Sequence, residues 1–390
     1  MTTTADGSAL DRAETIEFTP VSVATSTSSA TRPRSPEGRL YALDLLRFGA
    51  AMFVVAYHFV FANSTEVWGT NTASLFTSPV RTLASYGWLG VELFFLISGF
   101  VICMSCWGRS LRDFFISRVV RLVPAYLVAV LLTAAVLSLW PPPKGSPNLP
   151  TIIGNLTMMQ GLLGIQNIDD PYWTLLVELK FYLLFAIVVA FGLTYRRVVL
   201  FCMLWATVAI FAYTAQFKPL SMAVEPRYAA YFVAGVALYL IHRFGHSLLL
   251  WAIVALTFAV NAVSLERRVA PHRESGLPIS WKVALLFLVI FYVLVIGVAL
   301  GWFSRLRWRG LVTIGALTYP LYLLHMSNGR AVIRQFRDDL PAWVLLAGVV
   351  AAALLLAYLV NRFVERPLSP ILRRQLHASF DALREPRHPS

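Results

Sequence analysis

Apolar residues run along the chain in ten stretches, near 42–62, 87–105, 123–140, 173–193, 198–216, 227–241, 247–264, 281–303, 311–326 and 342–363, with short polar segments between them. Runs of this length with few charges predict membrane-crossing helices rather than half-buried strands. The pattern therefore predicts an all-α fold, a polytopic integral membrane protein built as a bundle of about ten transmembrane helices. An even number of crossings returns both ends of the chain to one side. Residues 1–38 are rich in Thr, Ser, Ala and Pro and contain no apolar run, which predicts a disordered tail and no signal peptide. Residues 39–367 then form the membrane domain and 368–390 a short basic tail. Between Pro141 and Pro171 lies the longest loop, and its middle, T-I-I-G-N-L-T-M-M-Q-G-L-L-G-I, is apolar yet too short to span. It predicts a re-entrant or interfacial segment.

Composition excludes an ordinary soluble domain, because 58% of the 390 residues are hydrophobic and only 14% are charged, against about a quarter charged in soluble proteins. A net charge of +13 would point to nucleic acid in a soluble chain. Here the arginines lie in short loops between apolar spans, so lipid head groups explain them and no nucleic-acid partner is expected. With both termini cytoplasmic in a plasma membrane, the inner loops contain Arg109, Arg112, Arg118, Arg121, Arg196, Arg197, Arg243, Arg305, Arg307 and Arg309, as the positive-inside rule requires. Arg267, Arg268 and Arg273 in the loop 265–280, and Arg330, Arg334 and Arg337 in 327–341, fall on the other side and work against it. Cys103 and Cys106 form a C-x-x-C inside an apolar span with no flanking ligands, which reads as packing and predicts no metal site.

Charge inside the spans changes the picture further. Arg47 and His58 are eleven residues apart in the first span, nearly three helical turns, so they share a face within roughly 20° and stand about 16 Å apart along the axis. Asp44 joins the same stripe. An ionisable residue at membrane depth is by default a functional one. His58, Glu92, Glu178 and His325 come from four helices and count to one depth near the outer ends of their spans. An imidazole with carboxylates to orient it is the set that proton transfer needs. The inner layer is basic: Arg118 and Arg121 open the third span at a spacing that sets both on one helical face, where planar guanidiniums suit a phosphate or pyrophosphate. Lipid-phosphate anchoring is the competing reading of that pair, and Arg47, at inner depth on the stripe leading to His58, favours a ligand. Together the layers predict a substrate with a phosphorylated end on the cytoplasmic side and a long thin arm reaching an imidazole, which is the shape of acyl-coenzyme A.

Six segments occur in an order that carries a resemblance: L-D-L-L-R with ten residues between its Arg47 and His58, G-W-L-G-V-E-L-F-F-L-I-S-G-F from Gly87, R-V-V-R from Arg118, W-T-L-L-V-E-L-K-F-Y from Trp173, L-T-Y-P-L-Y-L-L-H from Leu317 and V-E-R-P from Val364. From Arg39 to about Pro367 the chain resembles the acyltransferase family 3 membrane proteins, O-acyltransferases that modify envelope glycans and some natural products. The resemblance implies that His58 is the catalytic histidine, that Arg47, Arg118 and Arg121 help hold the acyl donor, and that the fold is a ten-helix bundle. Some members continue into an extracytoplasmic esterase-like domain. This chain is too short for one, so the bundle is expected to act alone or with a separate partner protein.

The expected activity is transfer of an acyl group, acetyl by family habit, from acyl-coenzyme A (acetyl-coenzyme A) to a hydroxyl of a carbohydrate or glycosylated acceptor such as envelope polysaccharide or a macrolide. His58 then serves as general base, oriented by Glu92 or Glu178, or else forms an acyl-imidazole; the sequence leaves both routes open. Tyr319 and Tyr322, three apart below His325, read as packing tyrosines ahead of oxyanion donors. The rival reading is a transporter of a sugar or small molecule, against which stands the lack of similarity between the two halves of the chain.

Overall fold

The computed structural model describes residue 2, residues 40–273 and residues 279–383, and all regular structure among these is helical. Apart from Thr2, the N-terminal tail read as disordered lies outside the described residues. Twelve longer helices carry the architecture: α1 Tyr41–Ala56, α2 Gly90–Cys106, α3 Leu111–Leu139, α4 Trp173–Ala190, α5 Tyr195–Thr214, α6 Ala229–Phe244, α7 Leu248–Arg273, α8 Trp281–Ala299, α9 Gly310–Leu324, α10 Met326–Phe336, α11 Ala342–Val360 and α12 Arg366–Ala382. Each of the ten apolar stretches folds as a helix.

Among the described residues, eight helices are long and apolar enough to cross a membrane. The remaining two stretches form α6 and α9, of 16 and 15 residues, which at 1.5 Å per residue are shorter than a hydrocarbon core of about 30 Å. For α6 the reason is position: every residue from Ala229 to His242 is buried, as expected of a helix that is apolar all round and packs against protein instead of lipid. Its crossing with α2 is very close. A Cβ on Gly235 would collide with the Leu96 carbonyl, and one on Gly99 with the Phe232 carbonyl. Only glycine lets two backbones approach so far, the small-residue packing typical of membrane helices.

Two helices extend beyond their apolar runs, and both extensions matter for the site. α3 begins at Leu111, where Ser110 caps it by accepting the Asp113 amide, so Arg112, Arg118 and Arg121 sit on a helix and not in a loop. α7 runs on to Arg273, which moves Arg267 and Arg268 out of the expected loop and onto the bundle. The segment read as a basic tail after residue 367 is helical as far as Ala382. α12 continues from α11 through a π turn at Asn361–Glu365 and lies against the start of α3, where Arg112 pairs with Asp381 and Phe115 meets Phe380.

The long loop holds a short helix, Leu149–Leu156, with Leu149 and Ile153 exposed. Buried Asn155 organises it, donating to the Thr151 and Gln166 carbonyls and accepting from the Ile168 amide, while Tyr126 of α3 donates to the Asn155 carbonyl at 2.7 Å. That network fixes the path of the chain into Asp169, Asp170 and Pro171, which border the site.

Candidate active site

α1 does not end as an ordinary helix. Tyr57–Phe61 is a π turn, closed by the Ala62 amide donating to the Tyr57 carbonyl at 2.8 Å. Such a bulge spoils the local hydrogen-bond ladder and recurs at functional sites. Buried Arg330 of α10 compensates, donating from Nε to the His58 carbonyl at 3.1 Å and from Nη2 to the Ala62 carbonyl at 2.8 Å. His58 therefore stands on a backbone distortion held by an arginine, which no periodicity in the sequence announces.

The His58 ring meets His325, with Nδ1 2.8 Å from Nε2. His325 is fully buried, and its Nδ1 faces two carbonyls, Leu321 at 3.1 Å and Tyr322 at 2.9 Å. Two acceptors require a proton on that Nδ1, so Nε2 of His325 is the acceptor and Nδ1 of His58 the donor. The hydrogen-bond network thus places the lone pair of His58 on Nε2, in a ring that lines a cavity of about 310 Å³. A chain of backbone carbonyl, imidazole and imidazole fixes the tautomer, as a carboxylate does in a hydrolase triad. The orienting carboxylate expected from the sequence is not the partner here.

Glu92 and Glu178 have other partners. Glu92 lines the same cavity but forms a buried ion pair with Arg268 of α7, with a second contact from Nη1 to Oε2 at 2.7 Å. Arg268 is stacked among Trp88, Tyr228 and Tyr231 at 5.2 to 5.8 Å, so the pair is held on all sides. Glu178 accepts from Ser98 at 3.0 Å and from Tyr182 at 2.6 Å and faces a second, narrower cavity of about 70 Å³. Arg47 and Arg121 line that cavity too. The two cavities share Val91 and Tyr322 as wall, so the Arg47 chamber and the His58 chamber follow one another along α1.

Arg118 departs from Arg121. Three residues of helix leave an offset of about 60°, and the guanidinium of Arg118 turns to Ser117 and Ser105 at 3.0 and 3.3 Å and stacks beside Tyr182 and Phe114. It borders a different, apolar cavity between α3 and α4. The hydroxyls of Tyr319 and Tyr322 donate to the Leu122 and Pro171 carbonyls at 3.1 and 3.3 Å, so neither proton is aimed at a reacting oxygen.

Asp169 completes the surroundings. It is fully buried just ahead of α4, and accepts from the Ser327 amide at 3.3 Å and the Ser327 hydroxyl at 2.8 Å, which caps the start of α10 two residues after His325. Burial pushes its carboxyl up to about 7, while the Ser327 bonds pull the other way. Burial likewise holds Arg330 below the usual arginine range, opposed by Asp169. Among the described residues no cluster of side chains has the makings of a metal site, and Cys103 and Cys106 are free and buried.

His58 and His325 were legible as a shared layer; Arg330, Arg268 and Asp169 were not. Their one signal was their type, ionisable residues at the edges of apolar runs, and in two cases that same position made them look like loop charges. Arg268 is consumed by Glu92 and Arg330 by the π turn, so neither is a free loop cation.

Comparison with known proteins identifies the family. Residues 40–362 match a family model described as an acyltransferase domain. The chain is 26% identical over 386 residues to "Acyltransferase MdmB" of Streptomyces mycarofaciens, covering 86% of this chain and 93% of that protein. No solved structure matches the chain. The match over residues 40–362, on a bundle of apolar helices, places the chain in acyltransferase family 3, as a multi-pass membrane transferase of acyl groups other than aminoacyl.

Proposed function

We propose that the protein is a plasma-membrane O-acyltransferase, with both termini cytoplasmic, that moves an acetyl group from acetyl-coenzyme A to a hydroxyl of a carbohydrate or glycosylated acceptor. The observation that carries this reading is the succession of two chambers along α1: a narrow one lined by Arg47 and Arg121 and a wide one lined by His58. The donor enters from the Arg47 side, its phosphates near the guanidiniums and its thin arm passing Tyr322 to bring the thioester to His58. Nε2 of His58 takes the proton of the acceptor hydroxyl as the oxygen attacks the thioester carbonyl. The carbon–sulfur bond then breaks, and the proton passes from His58 to the departing thiolate, giving free coenzyme A and the ester. His325 acts by positioning, since its Nε2 accepts the Nδ1 hydrogen throughout. Glu178 offsets part of the charge of Arg47 and Arg121, and Glu92 neutralises Arg268 in the wall of the wide chamber.

The test is transfer of radiolabelled acetyl from acetyl-coenzyme A in membranes containing the wild-type protein or His58→Ala at matched expression. The wild type is expected to label an acceptor in total extracts, and the variant to fall by about 10²–10⁴-fold, the usual contribution of a general base. Equal labelling by both would remove His58 from the chemistry, and label retained on denatured wild-type protein would replace the general base with an acyl-histidine.

A further inference from the structure

The His58 chamber does not end at its own walls. Arg227, Arg267 and Arg268 line it and also line a neighbouring hollow of about 420 Å³ enclosed by α5, α6 and α7. That hollow is walled mainly by aliphatic and small residues, among them Ala206, Ala209, Ala230 and Ala259. Its outer edges face lipid: Leu256 is 50% and Val263 79% exposed on α7, and Ile210 is 38% exposed on α5. The size and lining are those of a ligand site, apolar with a few fixed polar groups, and an engineered cavity of about 150 Å³ already holds benzene.

The throat between the two spaces is polar and ordered. Arg268 is locked to Glu92 and Tyr231. Arg267 donates to the Tyr213 hydroxyl at 2.8 Å and lies over the same ring. Arg227 and Arg267 present N–H donors to the same throat, which suit an oxygen-rich head, while the hollow beyond suits an apolar body. A purely water-soluble polymer would have no use for an apolar hollow open to the bilayer.

Resting on the transferase reading above, we infer that the hollow between α5, α6 and α7 is the acceptor site, and that the acceptor is an amphiphile. It enters sideways from the lipid. Its apolar body lodges between α5 and α7, and its hydroxyl-bearing head passes the arginine throat to reach His58.

The test uses the full-length protein in lipid nanodiscs and a photoreactive octyl β-glucoside with a diazirine on its chain, cross-links being located by mass spectrometry. Labelling of Leu256 and Ile210 is expected to saturate with probe. It should fall about tenfold, equivalent to ~1.4 kcal/mol, in Ala259→Trp, whose indole fills the hollow from an exposed position. Arg267→Gln, a second variant that adds no bulk, should lower the affinity by about threefold. Labelling that rises linearly with probe, or that Ala259→Trp leaves unchanged, overturns the site. Radiolabelled acetyl transfer on the same samples, with lipid-soluble and water-soluble extracts offered separately, distinguishes the two readings. Saturable labelling without transfer to either extract upholds the amphiphile site and removes acetyl-coenzyme A as donor. Transfer confined to water-soluble acceptors, and equal in Ala259→Trp, removes the site and leaves the transferase standing.

Discussion

The two chambers along α1 differ in width and in how charge is arranged. Around His58 the space is about 310 Å³, and the imidazole is held by a neutral histidine that backbone carbonyls hold in turn, with Glu92 and Arg268 paired in the wall. Around Arg47 it is about 70 Å³, lined by two guanidiniums and a carboxylate. The narrow chamber sets two guanidiniums against one carboxylate, whereas in the wide one His58 meets a neutral histidine and Arg268 is paired with Glu92, with Arg227 and Arg267 also in the wall. Pairing matters electrostatically, since an unpaired cation beside His58 opposes the imidazolium that forms when it takes a proton, and Glu92 removes that opposition for Arg268. Arg330, which donates to the His58 and Ala62 carbonyls, keeps its charge there and so disfavours that imidazolium.

The sharpest way to break this contrast is at His325. His325→Ala removes the acceptor of the His58 Nδ1 hydrogen and frees the tautomer, and kcat is expected to fall about 10²-fold with little change in the KM for donor. His325→Gln, whose amide oxygen can accept the same hydrogen, should recover much of the loss. A purely structural role would not show that recovery, so equal rates for the two variants would count against positioning.

In the narrow chamber the opposite signature is expected. Arg121→Ala should raise the KM for acetyl-coenzyme A about tenfold, the worth of a charge-assisted hydrogen bond, with kcat nearly unchanged. Arg118→Ala should raise it less than about threefold, because that guanidinium is turned towards Ser105, Ser117 and Tyr182. Equal effects from the two would return both arginines to one ligand site.

The sequence made one kind of information easy to read and another hard. The ten apolar stretches and the meeting of His58 with His325 follow from periods of 3.6 residues and a fixed rise, and both have a counterpart in the bundle, whereas Arg47 and His58, expected on one stripe, line separate chambers. Glu92 and Glu178 come from the right helices, yet their partners, Arg268 and the Ser98–Tyr182 pair, depend on how helices rotate about their axes. A hydropathy pattern fixes that rotation only coarsely. The π turn at Tyr57 lies below the resolution of any pattern, because it adds a single residue to one turn. Ends were the other weak point: α3 and α7 pass beyond their apolar runs because arginines on them find stacking and ionic partners inside the protein.

Arg330 tests whether the π turn belongs to the wide chamber's chemistry. In Arg330→Ala the His58 and Ala62 carbonyls lose their donors, at a cost of about 1–3 kcal/mol for buried groups. Thermal stability should drop, and kcat should fall about tenfold as His58 shifts. Arg330→Lys should fall between, since one ammonium cannot match a guanidinium spanning two carbonyls. Arg47→Ala in the narrow chamber should change the donor KM and leave the melting temperature close to that of the wild type. A stability loss without any fall in kcat would detach the turn from catalysis.

The most local effect should be a dependence on pH confined to the wide chamber's border. Asp169 keeps its proton up to about 7, against 3.8 for an ordinary aspartate, because it is buried. Between those values the folded protein holds a proton that the unfolded chain has released. Stability contributed by neutral Asp169 is therefore complete below about pH 4 and is lost as pH rises through 7, with a slope approaching ~1.4 kcal/mol per pH unit. Asp169→Asn keeps an acceptor for the Ser327 hydroxyl but has no proton to lose, so it should flatten that part of the profile. The measurement is hydrogen exchange of segment 166–172 at pH 5 and pH 7.5, corrected for intrinsic rates. Protection should weaken at the higher pH in wild type and stay level in the variant. Because Asp169 anchors the chain that leads into Asp170 and Pro171, which line the His58 chamber, loosening there opens the wide chamber and leaves the narrow one as it was. Protection that strengthens with pH in the wild type would mean that Asp169 is ionised in the fold, and that the charge of the wide chamber is not fully paired.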